Sequence, residues 1–187
     1  CGTKRKEMAE QRKYTRTTKS AVKSKPVDEY GHLQPQAIDF EEAVLGALMI
    51  EKDAYSIVSE ILRPESFYDH KHQLLYRAIT TLAMRQQPID ILTVAEQLRS
   101  TGDLEEAGGP FYITQLSGKV ASSAHIEYHA RIIAQKFLAR ELITFTSNIQ
   151  TKAFDETQDV DDLMQEAEGK LFEISQKNMK KDYTQIN

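Results

Sequence analysis

The clearest hydrophobic pattern lies over residues 123–177, where apolar residues recur every three or four positions. This spacing predicts two helices, over 124–153 and 160–176, joined by a short polar loop. About 30 residues with a rise of about 1.5 Å each extend roughly 45 Å, whereas a compact globule of ~100 residues is only about 35 Å across. We therefore expect a helical hairpin that projects from a globular head and meets a second copy of itself.

Shorter segments with the same spacing lie between residues 36 and 122, and glycine and proline residues separate them. Five residues mark the predicted helix ends: Asp39, Asp53 and Asp90 as N-caps, Gly102 as a left-handed C-terminal residue, and Pro110 in a first turn. The sequence has no long alternation of polar and apolar residues, which would predict strands. The predicted fold class is all-α, with a globular multi-helix head followed by an extended antiparallel helical hairpin.

Charge divides the chain into two parts. Residues 1–25 carry nine Lys or Arg and two Glu, a net charge of +7, whereas the remaining residues carry a net charge of −11. Residues 1–35 also contain too few apolar side chains to form a core, which predicts a disordered basic arm. We assign residues 36–122 to the head, residues 123–177 to the hairpin and residues 178–187 to the start of a linker.

The basic arm has two interpretations. It is either a solvated tail or a weak, salt-sensitive contact for the phosphate groups of nucleic acid. The residues that would make this contact are Lys4, Arg5, Lys6, Arg12, Lys13 and Arg16. An all-α nucleic-acid-binding protein that acts through this arm is therefore the alternative to a protein that acts through its hairpin.

Neither of the two Gly-Lys pairs in the sequence belongs to a phosphate-binding loop. That loop has the pattern G-x-x-x-x-G-K-[ST], in which the hydroxyl group binds the Mg²⁺ of the nucleotide. Gly118-Lys119 is followed by Val120, and the pair at residues 169–170 is followed by Leu171, so both hydroxyl groups are missing. We therefore expect no nucleotide cofactor in this segment.

Metal and catalytic sites have no better support in the sequence. His125 and His129 stand four residues apart on the long predicted helix, a spacing with which two histidines can bind a metal. No cysteine or downstream acidic ligand completes a set, so an exposed helix face is favoured and a histidine-dependent metalloenzyme serves only as a contrast. The sequence predicts no catalytic residue, no cofactor-binding residue and no metal ligand in this segment.

The hairpin has more apolar surface than its two arms can cover. Away from the stripes that face each other, the first arm carries Ile132, Ala134, Leu138 and Ile143, and the second carries Met164 and Phe172. Such residues need a partner. The candidates for pairing within the hairpin and between copies are Ile133, Phe137, Leu142, Phe145, Ile149, Leu163, Leu171 and Phe172. A second copy of the chain is thus the first expected partner.

The composition indicates a protein of the cytoplasm. No apolar run approaches the ~20 residues that cross a membrane, and the polar, basic N-terminus does not resemble a secretory signal. The single cysteine, Cys1, excludes an internal disulfide and fits a reducing compartment. We expect a cytoplasmic protein without a membrane partner.

A series of short motifs resembles the N-terminal domain of DnaB-type replicative helicases. The stretch 42–49, Glu-Ala-Val-Leu-Gly-Ala-Leu-Met, is similar to the first helix of that domain. Further matches follow in order: Glu65-Ser66-Phe67-Tyr68 with His72, Pro88-Ile89-Asp90 with Thr93-Val94, Gly102 to Leu104, Gly108-Gly109 with Tyr112 and Leu116, Ser122-Ser123-Ala124, Tyr128-His129-Ala130, Ile132-Ile133, and Arg140-Glu141-Leu142-Ile143. The resemblance covers residues 35–177, and the order and spacing of the motifs make it specific.

The resemblance implies a function that the residues alone do not indicate. A full-length member of this family is a ring-shaped, hexameric helicase that unwinds DNA at the replication fork, driven by ATP and Mg²⁺ in a C-terminal ATPase domain. The N-terminal domain forms a collar, in which hairpins pair into dimers, three dimers surround single-stranded DNA, and primase docks. By resemblance, pairing falls on residues 126–174, the linker to the ATPase domain follows residue 177, and this segment itself has no catalytic activity.

Overall fold

The polypeptide is built from helices that run in chain order through a head and a hairpin. The structure, a computed structural model, describes residues 33–119 and 125–182, with side chains up to residue 176. Within these ranges seven α-helices and one 3₁₀ turn occur: α1 (Ile38–Ile50), α2 (Ala54–Ser59), the 3₁₀ turn (Pro64–Ser66), α3 (His70–Met84), α4 (Ile91–Thr101), α5 (Gly109–Gly118), α6 (Ile126–Ala153) and α7 (Val160–Asp182). The predicted all-α fold class, a head followed by a helical hairpin, is confirmed.

The two ends of α4 follow from the residues at its boundaries. Asp90 has extended backbone, and its Oδ1 accepts hydrogen bonds from the backbone N–H groups of Leu92 and Thr93, both at 2.9 Å. Thr93 Oγ1 accepts one in return from the Asp90 N–H, also at 2.9 Å. At the other end Gly102 takes a left-handed φ of 83°, a conformation that glycine adopts without a steric penalty. Both predicted caps of α4, and Pro110 in the first turn of α5, are confirmed.

The other two predicted N-caps behave differently. Asp39 lies inside α1, because the backbone N–H groups of Phe40 and Glu41 already bond to the Ala37 carbonyl at 3.0 Å. Its carboxylate still lies in the first turn, where the helix dipole favours negative charge. Asp53 holds the N-cap position of α2, but its backbone is helical and its side chain makes no capping bond. An N-cap side chain reaches the helix N–H groups from extended backbone, so residue type alone does not make a cap.

Helix α1 runs through the core of the head. Val44 and Leu45 are fully buried, and α1 packs against α3, α5 and α6. In the same core the rings of Phe67 and Tyr76 pack with centroids 4.9 Å apart, and the Tyr76 hydroxyl donates to the Leu62 carbonyl at 3.2 Å. Burial raises the pKa of Tyr76 far above its usual range, so this hydroxyl remains a neutral hydrogen-bond donor.

Helix α6 belongs to both parts of the molecule. Its 28 residues extend about 42 Å. Ile126, Ala130 and Ile133 lie in the same buried cluster as the residues of α1, while further along the helix Lys152 Nζ lies 2.5 Å from Oε1 of Glu166 in α7. The hairpin therefore starts inside the head and continues beyond its core.

A pair of variants tests the capping hydrogen bonds of α4. Asp90→Ala removes both bonds to the start of the helix, and we expect the free energy of unfolding to fall by about 1 kcal/mol, measured by urea denaturation near neutral pH. Asp53→Ala is the matched control, because Asp53 holds the same position in α2 without a capping bond. Equal losses in the two variants would contradict the role of the Asp90 side chain.

Candidate assembly surface

Helix α7 presents two neighbouring rows of apolar residues. Leu163 and Ile174 form a buried row, and α7 packs on α6. Beside them Val160, Met164 and Leu171 follow one another at steps of four and seven, which keeps them on one side of the helix. Each of these three residues is more than half exposed. This second row is an apolar surface that nothing in the described part of the chain covers.

Three further apolar residues of the hairpin are exposed. Phe154 follows the end of α6 and is 80 % exposed, Phe172 on α7 is 65 % exposed, and Ile143 on α6 is 41 % exposed. Single apolar residues are ordinary on protein surfaces, whereas several on one side of a helix, such as the second row of α7, mark an interaction site. We call the six residues Ile143, Phe154, Val160, Met164, Leu171 and Phe172 the exposed hairpin surface.

The eight residues predicted for hairpin pairing fall into three environments. Ile133 is buried in the core of the head, and Leu163 is buried in the hairpin. Four residues are half-buried, namely Phe137, Leu142, Phe145 and Ile149. Leu171 and Phe172 are each more than half exposed, so of the eight these two are the most accessible to a second copy. Of the other four members of the exposed hairpin surface, Ile143 and Met164 were expected from the sequence to need a partner, whereas Phe154 and Val160 were not.

The remaining sequence predictions concern nucleic-acid contact, metal binding by histidines and membrane spans. The six basic residues proposed for nucleic-acid contact, within residues 4–16, lie outside the described residues. His129 packs its ring edge-on against Phe40, with centroids 5.1 Å apart. Among the described residues, no three His, Cys, Asp or Glu side chains are grouped so that they could hold a metal ion. None of the helices described has the length and apolar composition needed to cross a membrane.

A chain of polar contacts lies inside the head and joins α1, α3 and α5. His72 of α3 is fully buried, and its Nδ1 lies 2.7 Å from Oε2 of Glu41 in α1. Its Nε2 lies 2.7 Å from the hydroxyl of Tyr112 in α5, which donates its proton to Oε1 of Glu42 at 3.1 Å. Lys119 Nζ lies 2.5 Å from Oε2 of Glu42. Because a hydroxyl has one proton, the Nε2–H of His72 is the donor to Tyr112.

The electrostatics of this cluster keep Glu42 charged and Tyr112 neutral. Burial alone would raise the pKa of Glu42, but hydrogen bonds from Lys119 and Tyr112, with the charges of Lys119 and His72, lower it below its ordinary 4.5. Burial also raises the pKa of Tyr112 far above its usual range, and the charge of Glu42 adds to this effect. A buried charge without its partners is strongly destabilising, so the cluster stabilises the head only as a complete set.

The loop before α5 places Tyr112 in this cluster. Gly108, the N-cap of α5, has a left-handed φ of 100°. A β-carbon at this position would come within 2.7 Å of the Tyr112 ring, closer than van der Waals contact allows. Lys71 Nζ lies 4.1 Å from the centroid of the same ring, where a cation is attracted to the π-face. Glycine at 108 thus permits both the backbone turn and the close approach of the ring.

Arg140 forms a second polar feature where α6 leaves the head. Its Nη1 donates to the Pro35 carbonyl and its Nη2 to the Ser66 carbonyl, both at 2.8 Å. The guanidinium carbon lies 5.4 Å from the ring centroid of Tyr68 and 5.6 Å from that of Phe137. Burial lowers the pKa of Arg140, but an arginine side chain remains charged near neutral pH. One side chain thereby connects three segments of the chain.

The sequence predicted no role in these contacts for His72, Tyr112, Arg140 or Glu41. The first three residues did stand in motifs of the family resemblance, which is the signal that could have found them. The partners lie far apart along the chain, 27 residues for Glu41 and the Tyr68 N–H and 105 residues for Arg140 and the Pro35 carbonyl. A linear pattern of residue types carries no information about such pairs.

The acid sensitivity of the head tests the buried cluster. The pKa of Glu42 is lower in the folded chain than its ordinary 4.5, so its contribution to stability is complete above that pH and is lost as the pH falls through the folded value. We expect Glu42→Gln to lower the free energy of unfolding by about 1 kcal/mol near neutral pH. It should also flatten the loss of stability between about pH 5 and pH 3, measured by urea denaturation across this range.

Glu96→Gln is the matched control for this titration, because Glu96 forms an ion pair with Arg99 on the exposed side of α4. Exposed pairs of this kind contribute little to stability, so this variant should follow the unchanged chain at every pH. An acid profile of Glu42→Gln that equals that of the unchanged chain would show that Lys119 and Tyr112 do not hold Glu42 in its charged form.

Both the sequence and the fold match proteins of known type. The sequence model of the DnaB-like helicase N terminal domain matches residues 33–135, more than half of the chain. The replicative DNA helicase DnaB of Rhodothermus marinus is 43 % identical over 157 residues, which is 84 % of this chain and 17 % of that protein. The replicative DNA helicase DnaC of Bacillus subtilis is 39 % identical over 145 residues, which is 78 % of this chain and 32 % of that protein.

Two solved structures share the fold. The N-terminal domain of DnaB helicase from Mycobacterium tuberculosis matches with a TM-score of 0.71 and 35 % identity, over 74 % of this chain and 98 % of that chain. A DnaB-like replicative helicase, described together with its interactions with primase, matches with a TM-score of 0.62 and 28 % identity, over 74 % of this chain and 31 % of that chain. The chain spans only about a sixth and a third of the two curated relatives. It belongs to the DnaB-like helicase N-terminal domain family.

Proposed function

We propose that the chain is the collar domain of a replicative DNA helicase, which organises the subunits of a hexameric ring and docks primase during DNA replication. Its family membership and its relatives, which are named replicative DNA helicases, support this function. The observation that carries it is the exposed hairpin surface. Apolar residues gathered on one element are stabilised when a partner removes them from water.

In this function the chain catalyses nothing itself. ATP and Mg²⁺ act in a part of the helicase that the chain does not span, where ATP hydrolysis drives DNA unwinding in the cytoplasm. The collar domain supplies assembly: two hairpins pair into a dimer, and three dimers form a ring through which single-stranded DNA passes. The hairpin rather than the head is the pairing element, because its second apolar row has no cover within the described chain.

The free energy gained by burying the exposed hairpin surface is comparable to the cost of association, so the pairing of two hairpins should depend on concentration. A residue that passes from half exposed to buried contributes about 1 kcal/mol, so six residues from each of two copies contribute roughly 12 kcal/mol. Association itself costs about 4–15 kcal/mol in lost freedom of motion. The net affinity of an isolated pair is therefore modest, and closure of a ring strengthens each contact because the neighbouring contacts hold its partners together.

Primase is a proposed partner because one structural relative is described with its interactions with primase. The head offers apolar residues for such a contact. Met84, Leu92 and Phe111 are each at least 80 % exposed and lie on α3, α4 and α5. These residues lie on helices of the head and not on the hairpin, so in this proposal self-association and primase docking use different surfaces of the domain.

Self-association is measured by light scattering over micromolar concentrations. We expect the unchanged chain to form a dimer or a larger species. Leu171→Asp places a charge in the exposed row of α7, so it should weaken association about tenfold or more. Its melting temperature should stay nearly unchanged, because Leu171 is 51 % exposed and lies outside the buried row.

Two further variants on α7 show whether the weaker self-association of Leu171→Asp comes from the exposed row. Gln165→Asp adds the same charge at an exposed polar position and should leave the mass unchanged. Leu163→Asp places the charge in the buried row and should lower the melting temperature as well. A strict monomer at high concentration, or an unchanged mass for Leu171→Asp, would rule out pairing through the exposed hairpin surface.

Primase docking is measured by titration calorimetry with the primase of the same organism. We expect saturable binding to the unchanged chain. At least one of the variants Met84→Asp, Leu92→Asp and Phe111→Asp should weaken it about tenfold, because each places a charge on the exposed side of the head. Leu171→Asp should bind primase as the unchanged chain does. Absence of binding, or a loss confined to Leu171→Asp, would contradict docking on the head.

A further inference from the structure

Arg140 lies at the point where α6 passes from the head to the hairpin. Before it, Ile126, Ala130 and Ile133 lie in the buried core of the head, and Ala134 packs against that core. Among the described residues, none that follows Ala134 on α6 belongs to this apolar cluster. Arg140 still contacts the head, through its bonds to the Pro35 and Ser66 carbonyls. Arg140 therefore joins α6 to the head by polar contacts, at a point on the helix beyond the residues that belong to the apolar cluster.

The two carbonyl groups that Arg140 binds belong to separate segments of the head. Pro35 precedes α1, and Ser66 ends the 3₁₀ turn between α2 and α3. The chain just after this turn is held from α1 as well, because Oε1 of the buried Glu41 accepts a hydrogen bond from the Tyr68 N–H at 2.7 Å. The Ser66 carbonyl that the guanidinium group binds thus adjoins a segment of the head that α1 also holds.

Hydrogen bonds fix direction in a way that apolar packing does not. Apolar burial is non-directional, so it opposes a small rotation or tilt of α6 less strongly than hydrogen bonds of fixed geometry do. The planar guanidinium group forms two bonds in a rigid fork, and the rings of Tyr68 and Phe137 lie within 6 Å of it. We infer that Arg140 is a clasp, a positioning residue that fixes the direction in which the hairpin leaves the head.

The effect of this clasp grows along the hairpin. The thirteen residues of α6 beyond Arg140 extend about 20 Å, so a tilt of about 15° would move the end of the arm by about 5 Å. A displacement of this size is comparable to one helical turn. The clasp therefore determines where the exposed hairpin surface is presented, whichever partner covers it.

A distance between the head and the hairpin loop tests the clasp. Cys1→Ser removes the single cysteine of the sequence, and spin labels at Gln115→Cys on α5 and Gln158→Cys in the loop occupy exposed positions. The labelled chain is diluted into excess unlabelled chain, so that pulsed electron spin resonance reports distances within one copy. We expect a narrow distribution of distances in this background. Arg140→Gln should at least double its width, because both directional bonds are lost.

Two variants distinguish the effect of the two hydrogen bonds of Arg140 from the effect of its positive charge. Arg131→Gln removes the same charge from α6, but Arg131 pairs with the exposed Glu127 one turn earlier on the same helix, so the distribution should stay narrow. Arg140→Lys keeps the charge without the fork and should broaden the distribution as Arg140→Gln does. An unchanged width in Arg140→Gln, or a narrow width in Arg140→Lys, overturns the clasp.

A second pair of labels distinguishes direction from stability. Ser100→Cys and Gln115→Cys both lie in the head at exposed positions, and their distance should be the same with and without Arg140→Gln. A change in this pair as well overturns the positioning role, since Arg140 would then be needed for the head itself. All of these distances are measured within one copy, so a failure of hairpin pairing would not imitate a failure of the clasp.

Discussion

The packing of α6 against α1 is the contact on which both parts of the molecule depend. The apolar residues at the start of α6 lie in the core of the head, so the helix that forms the first arm of the hairpin also completes the head. A continuous helix transmits the position of its first turns to its last. Head and hairpin are therefore one mechanical unit, and a disturbance of the core at Ile133 reaches the surface that the hairpin presents.

The buried polar cluster imposes a second constraint on the head. Removing Glu41, Glu42 and His72 from water is unfavourable, and in buried ion pairs the mutual bonds often only offset this cost. The physical effect of the cluster is on alignment. Tyr112 has to reach His72 of α3 and Glu42 of α1 at once, and a shift of α5 by one turn would leave buried charges without partners. The cluster thus disfavours other packings of the same helices.

The sequence predicted those parts of the fold that neighbouring residues determine. Asp90 and Thr93 cap α4 from three residues apart, and Gly102 ends it with its own backbone. Asp39 lies inside α1 instead of capping it, and Asp53 holds the N-cap position of α2 without a capping bond, because such a bond requires a backbone conformation that residue type does not specify. The spacing of apolar residues gave the two arms of the hairpin, since periodicity is a property of one helix.

The candidate site was predicted less completely, for a related reason. The apolar stripe of α6 runs without a break from Ile133, which is buried in the head, to the half-buried Ile149. Periodicity shows which residues share a side of a helix, but not where the head ends and the solvent begins. The contacts of Arg140 and Glu41 join segments that are distant in sequence, and only the folded chain brings them together.

The place of α6 in the core also determines the order in which the chain can fold. Phe40 and His129 are in contact although about 90 residues separate them, and contacts of such long range form slowly. During synthesis α1 to α5 leave the ribosome first, but the part of α1 that packs on α6 stays uncovered until the start of α6 has followed. The nascent head therefore exposes its unfinished core to chaperones and to aggregation until translation has passed Ile133.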